Sequence, residues 1–317
     1  MSDAILTITL NPALDLSTVT DRLEAGPKLR CRDPRFDPGG GGVNVSRVIA
    51  ELGGTSTAWM ALGGALGRMY QELLEEDGIR REVMETAGQT RMSVNVTEAD
   101  SGDQYRFVLP GPEFDAAGAA EVLDAIGAAV QGKGYAVLSG SMPPGLPDDF
   151  LAQLIARIGE AGAKLVVDSS GAPLQAALDA GVYLVKPNLK EAETLAGRRL
   201  GDMTARAEYA AELVEQGAAR VVLLSLGAEG ALVVGEGLRL RVMAPAVEVS
   251  SAVGAGDSTV AAMVLALARG ESLEDAARLA VAAGAAAVAT PATVLCRRAD
   301  VERLVDHVRV EPLDAGD

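Results

Sequence analysis

A chain of 317 residues, 49% hydrophobic and 23% charged, can bury a large core, which excludes a fibrous or wholly disordered protein. A formal net charge of −16, with a pI near 4.6, repels nucleic acid and anionic membranes, so neither is expected as a partner. Two cysteines, Cys31 and Cys296, and a single histidine, His307, which reads as a solvated helix residue, exclude a disulfide framework, a Cys/His metal cluster and histidine-based catalysis.

In chain order, residues 1–10 alternate like a strand and lack the basic start of a secretory leader, which predicts a cytoplasmic protein. Residues 17–36 and 91–108 show period-2 alternation, as in Met92, Val94, Val96 and then Tyr105 and Phe107. They predict antiparallel strands with one open face. Because they interrupt helical stretches, they are expected to form a small sheet standing off a main domain built from residues 1–16, 37–90 and 109–317.

Between them runs Phe36-Asp37-Pro38-Gly39-Gly40-Gly41-Gly42-Val43-Asn44, leading into a helix with Val45, Val48, Ile49 and Leu52 on one face. Four glycines cost backbone entropy and exceed what a turn needs. One reading is a loop whose amides approach a ligand, with Asn44 as donor and acceptor. The other is a flexible hinge.

From residue 135 onward, buried-strand patterns at 135–139, 164–168, 183–186 and 221–225 alternate with helical ones such as Phe150, Leu151, Leu154, Ile155 and Ile158. That rhythm means βαβ units and a parallel sheet covered on both faces, with ligands at the carboxyl ends of the strands. Ser139-Gly140-Ser141-Met142-Pro143-Pro144-Gly145 follows one strand as a rigid turn lining that crevice. Lys186-Pro187-Asn188-Leu189-Lys190-Glu191 ends another. Asn188 and Glu191 share the first turn of a helix, where they suit either an Mg²⁺–water shell or a capping pair. Ser225-Leu226-Gly227-Ala228-Glu229-Gly230 predicts a tight loop near a nucleotide.

Val253-Gly254-Ala255-Gly256-Asp257-Ser258 opens a helix expected to be amphipathic through Val260, Met263, Val264 and Leu267. Small residues there free several N–H groups at a helix N-terminus, a ready-made anion site. Asp257 is either a simple cap or a functional carboxylate, and the flanking glycines favour close approach by a ligand. The uncharged run 279–296, broken by Pro291, reads as a buried helix and loop, and the acidic tail from Glu311 as disordered. Neither G-x-x-x-x-G-K-[ST] nor G-x-G-x-x-G is satisfied, the latter failing at Asn44.

These residues, in this order, resemble the PfkB (ribokinase-like) family of carbohydrate kinases, over nearly the whole chain from Thr9-Leu10-Asn11-Pro12-Ala13-Leu14-Asp15 to Cys296. The two signatures of the family match residues 39–54 and 252–265. Pro27-Lys28-Leu29-Arg30-Cys31, Gln104-Tyr105-Arg106-Phe107-Val108, Val167-Asp168-Ser169-Ser170-Gly171 and Leu184-Val185-Lys186-Pro187-Asn188 are similar to the branch that phosphorylates fructose 6-phosphate. The opening Asn-Pro-Ala-Leu-Asp is more similar to the branches that use fructose 1-phosphate or tagatose 6-phosphate.

The resemblance implies a three-layer α/β sandwich with a mainly parallel sheet and a β-sheet lid that forms a homodimer interface. It implies ATP and Mg²⁺ as cofactors and Asp257 as catalytic base, with the amides of Gly254, Ala255 and Gly256 stabilising the transferring phosphoryl group. Asp15, Gly39, Gly40, Gly41, Asn44 and Ser139 would hold the sugar, and Lys28, Arg91 and Arg106 would supply the local cations for its phosphate. Lys186, Asn188, Ser225, Gly227 and Gly230 would contact ATP, and Asn188 and Glu191 the Mg²⁺ water shell. The chain departs from the family at Ser251-Ala252 and Ala292-Thr293, which border the monovalent-cation and adenine sites, so activation by K⁺ is not carried over. A ribose or nucleoside kinase would have no use for the lid cations. A sugar-phosphate sensor would be free to lose Asp257.

Overall fold

The computed structural model describes residues 5–291 and 294–313. Ala292, Thr293 and tail residues 314–317 lie outside them. The chain opens with β1 (Ile5–Thr9), β2 (Ala13–Thr20) and β3 (Arg32–Gly39), then α1 (Gly41–Glu51), β4 (Thr57–Leu62) and α2 (Gly64–Glu76). Next come β5 (Arg80–Glu85), β6 (Arg91–Glu98), β7 (Gln104–Val108), α3 (Ala116–Ala129), β8 (Tyr135–Ser139) and α4 (Phe150–Glu160). The βαβ rhythm continues through β9 (Lys164–Asp168), α5 (Ala172–Ala180), β10 (Val182–Val185), α6 (Leu189–Ala196), α7 (Met203–Glu215) and β11 (Ala219–Ser225). It closes with β12 (Ala231–Gly235), β13 (Leu238–Met243), α8 (Ala255–Ala268), α9 (Leu273–Val288), α10 (Arg298–Val305) and β14 (Arg309–Pro312).

The main sheet has the order β14-β13-β12-β11-β10-β9-β8-β1-β4-β5. It is parallel from β5 to β11 and antiparallel through β12, β13 and β14. Both faces are covered, so its strands are continuous apolar runs rather than alternating ones. Leu6 and Ile8 of β1 face a core with α3, α4, α5 and α7, whereas Ile5 faces α1, α8, α9 and α10. The result is the expected three-layer sandwich. Asp115, Asp202 and Ser272 start α3, α7 and α9 by accepting the N–H three residues on, as such side chains do at an N-cap.

The structure corrects three expectations. Helix α8 is not amphipathic: every residue from Val260 to Leu267 is buried, because α9 packs along it on one side and the sheet on the other. Burying each of its larger side chains stabilises the fold by about 1.5–3 kcal/mol. The acidic tail begins later than expected, since Glu311 and Pro312 pair with Arg241 and Leu240 in the sheet edge. His307 lies not in a helix but exposed in the turn after α10. Among the described residues, no helix is long and apolar enough to cross a membrane.

The lid is a four-stranded sheet of order β3-β2-β6-β7. Its strands start at Ala13 and end at Gly39, not at 17 and 36, so Asp15 belongs to the lid. The pairing is also mixed: β2 runs parallel to β6, because the chain crosses the main domain between them. Register sorts the two faces. Phe36, Leu16, Val94 and Phe107 line up in one row across all four strands, and Arg35, Ser17, Asn95 and Arg106 in the neighbouring row on the opposite face.

Candidate active site

The carboxyl ends of β8, β9 and β10 converge on the first turn of α8. Gly254 precedes it at φ +74°, a left-handed conformation that favours glycine. A Cβ at Gly254 would stand 2.6 Å from Leu295. The N–H groups of Ala255, Gly256 and Asp257 make no hydrogen bond within the described residues, and the helix dipole adds positive potential there.

Asp257 is half-buried at this turn. It accepts a 2.8 Å hydrogen bond from Asn44 Nδ2 and a 3.4 Å one from Ser139 Oγ. Burial, with Asp168 nearby, pushes its carboxyl up to about 7, against the opposing pull of Asn44, Lys186 and Ser139. A carboxyl so placed takes and releases protons near neutral pH.

Lys186, at the end of β10, forms a 3.0 Å ion pair with Asp168 at the end of β9. Burial works against its charge, but Asp168, with Asp257 and Glu191, outweighs it and holds the ammonium above the usual lysine value. A Cβ on Gly256 would stand 3.3 Å from Lys186 Nζ, so the lysine lies directly beside the anion-ready turn.

The glycines of the run let backbone and neighbouring side chains pack closely. A Cβ at Gly39 would overlap Asp15, one at Gly41 would overlap Ser139, and one at Gly42 would overlap the Ile8 carbonyl. Gly40, at φ +132°, turns the chain from β3 into α1. The run therefore bridges Asp15 on the lid to Ser139 and Asn44 beside Asp257. Asp15 sits between Asp37 and Ser93 in the sheet register. Burial, then Asp37, raises its carboxyl to about 6, although Arg91, Ser93 and Arg106 pull the other way. Arg91 donates from Nε and Nη2 to the Asn11 carbonyl at 3.2 and 3.1 Å, and from Nη1 to Ser93 at 3.3 Å. Arg106, exposed on β7, has no hydrogen bond or ion pair among the described residues.

Lys28 is not brought to this group. It lies exposed in the coil between β2 and β3, where no strand partner fixes it. Asn188 and Glu191 form a reciprocal capping box at 2.9 Å on α6, so part of their polar capacity is spent on the helix. The second carboxylate oxygen of Glu191 makes no hydrogen bond among the described residues. Ser225 bridges to Asn188 at the end of β11, and a short 3₁₀ turn, Gly227–Glu229, leads to Gly230. Gly230 is glycine because a Cβ would overlap the Val242 carbonyl.

Sequence reading missed Asp168, Asn11, Ser93 and Tyr70. Only Asp168 carried a signal: a carboxylate ending a buried parallel strand, opposite one of the five lysines among 28 basic residues. Ser251, where family members often have Asp, is a neutral hydroxyl that accepts from Val253 N at 3.2 Å.

The donor set suits a polyphosphate: unspent helix N–H groups and one buried ammonium beside them. The second carboxylate oxygen of Glu191 suits the oxygen-only, water-rich shell that Mg²⁺ prefers. No three acidic, His or Cys side chains cluster as a direct metal site among the described residues, so such an ion would be held through water and phosphate.

A covered parallel sheet with a lid, and a raised carboxylate at an anion-ready helix start, define a sugar-kinase type of phosphotransferase. The chain belongs to the pfkB family of carbohydrate kinases, whose model matches residues 8–300. It is 40% identical to the ATP-dependent 6-phosphofructokinase isozyme 2 of Mycobacterium tuberculosis (strain H37Rv), over 98% of this chain and 91% of that protein. It is 36% identical to the 1-phosphofructokinase of Escherichia coli K12, over 99% and 100%. The structure of E. coli phosphofructokinase-2 in complex with fructose-6-phosphate superposes with a TM-score of 0.90 at 40% identity, covering 96% of this chain and 99% of that one. That E. coli protein has also been solved with potassium and in a tetrameric inhibited form.

Proposed function

We propose that this chain transfers the γ-phosphoryl group of ATP to fructose 6-phosphate, giving fructose 1,6-bisphosphate and ADP. The observation that carries the reading is the pairing of two features across the glycine turn. On one side stands the half-buried Asp257, its carboxyl raised, at the α8 N-terminus. On the other, Arg91 and Arg106 flank Asp15 on the polar face of the lid. A ribose or nucleoside kinase has no use for two lid arginines, and a sensor has none for a carboxylate held near neutrality.

In this mechanism Asn44 and Ser139 orient Asp257, whose carboxylate takes the proton of the attacking sugar hydroxyl. The hydroxyl oxygen bonds to the γ-phosphorus as the bond to the bridging oxygen breaks, and ADP leaves. Bound ATP·Mg²⁺ supplies the phosphoryl group and spreads its charge. The N–H groups of Gly254, Ala255 and Gly256 and the Lys186 ammonium stabilise that charge at the helix start. Asn188, Ser225, Gly227 and Gly230 border the nucleotide. Asp15, Gly39, Gly40 and Gly41 hold the sugar. The full-length likeness to 1-phosphofructokinases favours fructose 1-phosphate as a second acceptor. Rates with fructose 6-phosphate, fructose 1-phosphate, tagatose 6-phosphate and fructose, each with ATP and Mg²⁺, decide between them. No turnover of any phosphorylated hexose would overturn the assignment.

Because the base must be ionised, kcat/KM in the free enzyme should fall below about pH 7. Asp168 holds the Asp257 carboxyl up, so Asp168→Asn should move this acid limb to lower pH. A limb that stays in place would mean that Asp168 does not act on the base.

The lid, residues 13–39 and 91–108, is the second unit of the molecule. Its row Phe36, Leu16, Val94 and Phe107 leaves Phe107 half-exposed, and an apolar sheet face open to water marks a surface that another molecule can cover. A second copy, lid against lid, is the proposed cover. Sedimentation at micromolar concentration should give a dimer, and Phe107→Asp a monomer. A fully active wild-type monomer would refute it.

A further inference from the structure

Helix α2 plays no part in the chemistry above, yet both roots of the lid hang on it. At one root, Tyr70, wholly buried on α2, donates its hydroxyl to the Gly39 carbonyl at 2.9 Å, where β3 ends and the glycine turn begins. At the other, the α2 N-cap Gly63 and Thr90, the residue before β6, bond twice. Gly63 N donates to Thr90 Oγ1 at 2.9 Å, and Thr90 N donates to the Gly63 carbonyl at 2.9 Å. Gln89 Oε1 accepts from Ala65 N at 3.1 Å beside them. The two roots carry Gly39, packed against Asp15, and Arg91, next in chain to Thr90.

We propose that α2 is the post that sets the lid over the acceptor site, and that Tyr70 is a positioning residue fixing Asp15 relative to the turn that carries Asn44. Three facts support the assignment. The Tyr70 hydroxyl is the side-chain bond to the Gly39 carbonyl, at the point where a single residue, Gly40, turns the chain out of the lid. Burial, then the charge of Asp15, holds the phenol far above its ordinary pKa, so it remains a neutral donor at any working pH. Removing it leaves a buried carbonyl beside Asp15 without that partner, and the simplest relief is movement of the lid root.

The kinetic part rests on the proposed acceptor; hydrogen exchange of the free protein does not, and both are measured on Tyr70→Phe. Exchange should quicken at residues 13–16 and 91–94, with β1, β4 and β8 unchanged. KM for fructose 6-phosphate should rise about three- to tenfold with KM for ATP unmoved, the effect expected of one hydrogen bond. Thr90→Val should act in the same direction, and Thr90→Ser, which keeps the hydroxyl, should match wild type. Unchanged exchange at the lid roots would overturn the proposal, as would faster exchange throughout the core with both KM values rising together. If wild type does not use fructose 6-phosphate, the acceptor reading falls, and exchange alone still decides the role of Tyr70.

Discussion

Asp257→Asn should lower turnover by about 10²- to 10⁴-fold, the usual worth of a general base. It should also make the protein more stable. The carboxyl moves from its ordinary 3.8 to about 7 on folding, so the folded state favours the neutral acid by roughly 4 kcal/mol at most. A raised folded-state pKa contributes stability that is fully present below about pH 4 and lost as pH rises through about 7. Asparagine keeps the shape and has no charge to bury. The variant should therefore melt like wild type near pH 4 and several degrees higher at pH 8. Turnover within a few-fold of wild type would remove Asp257 from the mechanism. Equal melting at both pH values would mean that its charge carries no burial cost.

The second large effect is expected on the lid. Arg91→Ala or Arg106→Ala should raise KM for fructose 6-phosphate by roughly ten- to a hundredfold, because a charge-assisted hydrogen bond contributes about 1.5–3 kcal/mol. KM for ATP should hardly move, since the nucleotide end lies across the glycine turn. The two variants differ in a useful way. Arg106 makes no hydrogen bond or ion pair among the described residues and acts on Asp15 only through its charge, so its loss reports mainly on the sugar phosphate. Arg91 is tied to the Asn11 carbonyl and Ser93 and holds the Asp15 carboxyl down, so its loss should also shift the pH dependence of acceptor binding upward. Unphosphorylated fructose is the control. Equal, small effects on both sugars would mean that the lid does not read a phosphate.

Most of the carboxyl-end chemistry is legible in the order of residues alone. Buried apolar runs of four to seven residues separated by helical spacing permit little besides a covered parallel sheet, and Gly254-Ala255-Gly256-Asp257 at a helix start is a local device whose geometry its own residues set. The lid is visible as period-2 alternation, but its ends are not. Alternation is blind to where a strand leaves one sheet for another, so it puts Asp15 in the main domain when the strand that carries it belongs to the lid.

What the sequence by itself determined is whatever depends on neighbours in the chain: the strand rhythm, the anion-ready turn, the Asn188–Glu191 pair and the shortage of lysine that marks Lys186. What only tertiary structure decided is whatever depends on residues brought together from afar. The Asp168–Lys186 pair, the Asn44 and Ser139 bonds to Asp257 and the Tyr70 hold on Gly39 join partners 18 to 213 positions apart. Packing also settled why the glycines are there, since the atoms that exclude a Cβ at 39, 41 and 42 belong to Asp15, Ser139 and Ile8. And it separated Arg91 and Arg106, which strand register places beside Asp15, from Lys28, which sits in a coil with no partner strand to hold it there.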